Sequence, residues 1–164
     1  EMKIKVMILS LLIILVVTIT ACNPQLKNKG VLIYKTSQTI EGEWLQESYP
    51  QDSKFVTITP ENIDEQRKKL RNITGLSLNN GLAVYITLGE SPTGGYNIQI
   101  QEVRKLGEKL IVTSKAVSPA PDQIVTQVIT YPYDLVRLSA SEVQNITEVI
   151  FYTAEGKEIK KEKI

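Results

Sequence analysis

The sequence predicts a mainly β domain, an antiparallel sandwich or a partly open barrel carrying one amphipathic helix, with an α+β arrangement as the alternative. Three observations predict it. From residue 82 onwards, runs rich in Val, Ile, Leu, Tyr and Thr recur between turn-forming residues, at 82–88 (LAVYITL), 96–103, 110–117, 124–130 and 135–138. Between 96 and 101 apolar and polar residues alternate strictly, so Tyr96, Ile98 and Ile100 share one strand face and Asn97, Gln99 and Gln101 the other. Only the stretch after Thr59 has apolar residues at helical spacing.

Taken in chain order, residues 31–34 (VLIY) form a first strand and 55–58 (FVTI) a second, while 37–53, which holds the only tryptophan, Trp44, lacks a clear period. The helix is expected to begin at Thr59 as N-cap, with Pro60 in the first helical position and Glu61 in the first turn. Ile63, Leu70 and Ile73 then share one face, and Gly75 marks the stop. Its other face leads with acids and ends with bases, matching the helix dipole, and is expected to be solvated. Asn79-Asn-Gly81 is a turn, 105–109 (KLGEK) a short hairpin, and Ser118-Pro-Ala-Pro-Asp122 a stiff loop unable to join a ladder. Antiparallel connections are expected throughout. Ser139-Ala-Ser-Glu142 fits a capping box opening a turn or two of helix, residues 149–152 form a last strand, and the closing Lys/Glu run is expected to be a frayed edge.

Composition favours one folded domain. The 164 residues are 42% hydrophobic and 23% charged, so disorder has no footing, and a net charge of +1 supplies no field for nucleic acid. The first residues stand apart: Lys3 and Lys5 precede an apolar run from Val6 to Val17, and small residues lead to Cys22. That run is shorter than the about 20 residues a spanning helix needs, and it predicts a secretion signal. Ile19-Thr-Ala-Cys22 resembles the lipobox of bacterial lipoproteins, in which the cysteine thiol is acylated and the chain is cut before it. The resemblance implies a leader over 1–21, lipidation at Cys22, a linker over 22–30 and one β-rich domain over 31–164. The protein would be held on the outer face of the bacterial cell membrane by acyl chains worth roughly 0.8 kcal/mol per buried CH₂. Cutting there removes two of the 19 basic residues and one of the 18 acidic ones, which leaves a neutral domain. With its sole thiol in the anchor, that domain contains no internal disulfide and relies on an apolar core.

Catalytic signatures are missing. Histidine is absent, which removes the usual proton shuttle and the commonest metal ligand. No serine sits in a nucleophile-elbow setting, no acidic set resembles a calcium loop, and Gly94-Gly95 runs into a strand rather than a phosphate-cradling helix. The expectation is a protein that binds, with no enzymatic activity, no cofactor and no metal.

The stretch 89–100 (GESPTGGYNIQI) sets a rigid corner before the alternating strand. Pro92 fixes one dihedral, Gly94 and Gly95 permit positive ones, and Tyr96 starts the strand with its ring committed to one face. A loop so constrained loses little entropy on binding. Ser91-Pro-Thr-Gly-Gly-Tyr96, then Ser118-Pro-Ala-Pro121 with Asp122, then Thr126-Gln-Val-Ile-Thr-Tyr-Pro-Tyr133 and Leu135-Val136 resemble the C-terminal domain of PrcB-type proteins, over about residues 82–138. The resemblance implies an accessory lipoprotein that assembles or stabilises a surface protease complex. A second similarity is to chagasin-like inhibitors of cysteine proteases, immunoglobulin-like sandwiches whose Pro-Thr-Thr-Gly-Tyr loop enters the target's cleft. Pro92-Thr-Gly-Gly-Tyr96 departs from that loop by one glycine, and the family's Arg-Pro-Trp loop has no counterpart.

The expected partner is an extracellular protease or another surface protein. It would be contacted through Ser91, Pro92, Thr93, Gly94, Gly95, Tyr96, Pro119 and Pro121, with Tyr131 and Tyr133 either an exposed aromatic contact or a strand bend packed over the core. The alternatives are a direct protease inhibitor using the same loop as a wedge, and an envelope protein of structural or small-ligand type, which a deep apolar pocket would mark.

Overall fold

A computed structural model describes residues 26–164. The expected leader, the lipidation site at Cys22 and residues 23–25 of the expected linker lie outside the described residues. The strands are β1 (Val31–Lys35), β2 (Lys54–Ile58), β3 (Leu82–Thr87), β4 (Asn97–Leu106), β5 (Lys109–Val117), β6 (Tyr133–Leu138), β7 (Glu148–Thr153) and β8 (Glu158–Lys163), with one helix, α1 (Ile63–Lys69). They form a five-stranded sheet ordered β1-β4-β5-β7-β8 and a three-stranded sheet ordered β2-β3-β6. The architecture is mainly β, two facing sheets and no closed barrel, as a sandwich requires.

Alternation and unbroken runs each have their cause in how many faces are covered. In β4, Ile98 and Ile100 point into the core between the sheets, whereas Asn97 is exposed. The next core residue is Val103, out of phase with them, and a bulge between Ile100 and Glu102 restores the phase. β3 has no polar face because both of its faces are buried. Leu82, Val84 and Ile86 meet the core between the sheets, and Ala83 and Tyr85 pack outward with Ile58, Leu70 and Ile73. On the outer face of the larger sheet Ile111, Ile150 and Tyr152 are covered by Leu106 and by Leu26, from a short 3₁₀ turn (Leu26–Asn28) whose Lys27 ammonium donates to the Ala154 carbonyl. Residues 26–28 of the expected linker are therefore packed against the sandwich.

Several expectations are corrected. The helix has seven residues and starts at Ile63, not at Pro60, and it ends at Lys69 with Leu70 as its C-cap, not at Gly75. Asn62 ties the preceding turn instead, its Oδ1 accepting from the Thr59 N–H at 2.9 Å and its amide donating to the Thr57 carbonyl at 3.0 Å. Leu70 turns extended, and it and Ile73 are buried over β3. Residues 139–142 make only half of the capping box: the Ser139 N–H donates to Glu142 Oε2 at 2.7 Å, but the Glu142 N–H donates to the Ser139 carbonyl and not to its hydroxyl, and the segment opens turns and no helix.

Connections are not all antiparallel: β5 and β7 pair in parallel, because the chain crosses to the other sheet for β6 and returns in the direction of β5. The expected strand at 124–130 is absent except for an isolated bridge at Thr130. Apart from that bridge to Ser91 these residues pair with neither sheet, although β6 is an edge strand of the smaller one. The final Lys/Glu run is a paired edge strand, β8. Its side chains reach across the sandwich: Glu162 accepts from the Thr57 N–H and Lys160 donates to the Phe55 carbonyl at 2.8 Å. Beside the other open flank, Asp134 of β6 accepts the Ile100 N–H at 2.8 Å, at the bulge of β4.

Candidate functional site

Two proline-containing loops meet at one place. Ser91 and Thr130 exchange backbone hydrogen bonds of 2.8 and 2.9 Å, the Gly94 N–H donates to the Thr126 carbonyl at 2.9 Å, and Thr130 Oγ1 donates to the Thr93 carbonyl at 3.0 Å. Both glycines are required by this crossing. A Cβ on Gly94 would lie 2.4 Å from Thr126 Oγ1, and on Gly95, at φ +86°, 2.9 Å from Val125 Cγ1 and 3.1 Å from Pro119 Cβ. The rigid corner thus serves as a saddle over which residues 119–130 pass.

What the crossing presents is apolar. Ile124 is 100% exposed, Val128 61%, Ile129 54% and Tyr133 42%, whereas most other large apolar side chains of the described residues are covered. Clustered exposure of this kind marks interaction surfaces. The backbone N–H groups of residues 124–129 find no protein acceptor among the described residues.

The expected contact residues divide. Pro92 and Pro121 are exposed, Pro119 and Thr93 are half-buried, and the two glycines shape the crossing. Ser91 is buried, and its backbone rather than its side chain makes the bridge to Thr130. Tyr96 belongs to the core end. Its ring lies edge-on to Trp44 at 6.2 Å, its hydroxyl accepts from Gln46 at 3.1 Å, and it packs against the main cluster. Residues 131–133 are the strand bend. The Pro132 carbonyl accepts from Thr87 Oγ1 at 2.7 Å and the Leu88 N–H at 3.1 Å, and Tyr133 stacks on Tyr85 at 5.8 Å. Tyr131 donates to Glu90 at 2.9 Å, which raises its phenol pKa, and carries the Arg71 guanidinium 4.0 Å from its ring centre. Tyr133 is exposed, and Tyr131 is half-buried with its hydroxyl at the surface.

Sequence reasoning missed Trp44. Its loop is fixed by Ser118, whose Oγ accepts the Leu45 N–H at 3.0 Å and whose N–H donates to the Glu43 carbonyl at 3.0 Å. From Trp44 the rings continue inward through Tyr49 at 5.2 Å and Phe55 at 5.7 Å to Phe151 at 5.8 Å. The signal available was the lone tryptophan between two strands, but no period locates its partner.

The carboxylates with displaced pKa values all move down. Lys69 lowers Glu65 and Lys109 lowers Glu148, while for Glu102 burial pushes up but the hydrogen bonds and charges of Lys35 and Arg104 outweigh it. These are groups held ionised, the opposite of what a general acid near neutrality needs. Among the described residues no three His, Cys, Asp or Glu stand where they could hold one metal ion.

Comparison with known proteins bears on this segment. Residues 82–139 match the family described as PrcB C-terminal, so the chain carries a PrcB C-terminal-like domain there. The matched segment runs from the first residue of β3 to one past β6, supplying two strands to each sheet and both crossing loops. Neither a curated protein nor a solved structure shows significant similarity to the chain.

Proposed function

From a PrcB C-terminal-like domain whose loops carry the exposed apolar side chains, we propose that this protein is a non-catalytic accessory subunit that binds and stabilises a surface protease complex. One observation carries the reading: Ile124, Val128 and Ile129 stand exposed on a segment tied to the 91–96 corner by backbone bonds. An apolar patch on a fixed frame binds with little ordering cost. We place the protein on the outer face of the bacterial membrane, anchored through Cys22, which rests on the lipobox-like residues 19–22.

The wedge reading, a direct inhibitor, draws less support, because the Cβ directions of Gly94 and Gly95 face Thr126, Val125 and Pro119. Affinity capture from envelope extract on the intact protein, with the bound proteins identified by mass spectrometry, tests the proposal. A protease subunit should be recovered by the unaltered protein and lost with Val128→Asp/Ile129→Asp. Recovery of the same proteins by both would contradict it. Labelled palmitate should enter the unaltered chain and not Cys22→Ser.

A further inference from the structure

Residues 42–49 lie across from the end of β5 and the β7–β8 hairpin. Between them runs an open groove of about 980 Å³. Trp44 and Tyr49 form part of its wall, and Glu43, Glu47, Glu155 and Glu158 line it. None of these four carboxylates has a cationic partner within 4 Å among the described residues. Of the two lysines lining the groove, Lys115 is turned to the Ile40 carbonyl at 2.9 Å, and with Lys27 donating to the Ala154 carbonyl only Lys157 and Lys27 stand against the four acids.

The aromatic wall shows the same imbalance. The Tyr49 hydroxyl is pushed up to about 12 by burial and by the Glu155 carboxylate. The Trp44 indole N–H is shielded from water and has no acceptor. An aromatic wall with unpaired carboxylates attracts a cation through ring face and charge together, and an arginine does so with a planar fork that fits both.

We propose that this groove binds an extended peptide segment of a partner protein through an arginine or lysine side chain. The cationic head lies among Glu43, Glu47, Glu155 and Glu158, and its stem lies against Trp44 and Tyr49. The groove adjoins the crossing loops through Ser118 and Tyr96, yet the inference stands on its own charges and does not rest on the apolar loop.

Trp44 is the sole tryptophan, so its emission reports the groove directly. The experiment titrates the intact protein with blocked pentapeptides carrying a central arginine, norleucine or glutamate among alanines. The arginine peptide should give a saturable change that weakens with added salt and weakens about tenfold in Glu47→Gln/Glu155→Gln. Absence of saturation, an equal response to the norleucine or glutamate peptide, or undiminished affinity in the double variant would each overturn the proposal. Ile129→Asp should leave this titration unchanged, so that the groove and the apolar loop fail separately.

Discussion

The Glu162 carboxylate accepts the backbone N–H of Thr57 at 2.9 Å, joining the edge strand of one sheet to the edge strand of the other. An edge N–H left without an acceptor between packed sheets costs about 1–3 kcal/mol. Glu162→Ala should therefore lower the unfolding free energy by about that amount, read from urea midpoints. Lys161→Ala on the same strand, exposed and without a hydrogen bond, should stay within about 0.5 kcal/mol. Equal effects of the two would show that β8 is held by its ladder alone.

The Thr57 hydroxyl, by contrast, is fully buried with no partner. Replacing it with a methyl of similar volume removes an unsatisfied polar group. Thr57→Val should leave stability unchanged or raise it by up to about 1 kcal/mol, measured by thermal or urea unfolding. A loss above that would mean the hydroxyl has an acceptor in solution.

The two glycines of the corner differ in why they are needed, and a double-mutant cycle separates them. Gly94→Ala meets the movable end of Thr126, so Thr126→Ala should restore most of the loss. Gly95→Ala carries a left-handed backbone as well, costs about 1–3 kcal/mol, and should not be rescued by Thr126→Ala.

Much of the sandwich was legible because burial writes itself into sequence. The run in β3 and the alternation in β4 follow from two covered faces and one. Residues 124–130 misled because IVTQVIT has the same β preference whether or not a strand pairs with it, and apart from the Thr130 bridge to Ser91 none does. The helix start misled because Thr59-Pro60 has the chemistry of an N-cap, yet Asn62 uses its amide to close a turn before the helix begins. The parallel pairing of β5 with β7 and the groove beside Trp44 depend on which sheet each strand joins, and no local pattern encodes that choice. The corner at 91–96 was legible as rigid, but its second half, the loop that needs the glycines, was visible only as a proline pair.

Alkaline pH tests the groove's electrostatics without a ligand. The Tyr49 hydroxyl titrates near 10 when unfolded and at about 12 when folded, so the unfolded chain loses its proton first. Its contribution is undiminished below pH 10 and declines as pH rises from 10 towards 12. Tyr49→Phe should flatten part of that decline in urea midpoints compared across this window. A decline of equal depth in both proteins would place the loss on other groups.

The central claim is that residues 119–133, held by the 91–96 corner, are the surface a partner protein covers. Hydrogen exchange at the backbone N–H groups of 124–129, which have no protein acceptor now, measures this most directly when compared between the free protein and the captured complex. The account predicts marked slowing there on complex formation and little change along exposed α1. Fast exchange at 124–129 in the complex, with slowing elsewhere, would contradict it.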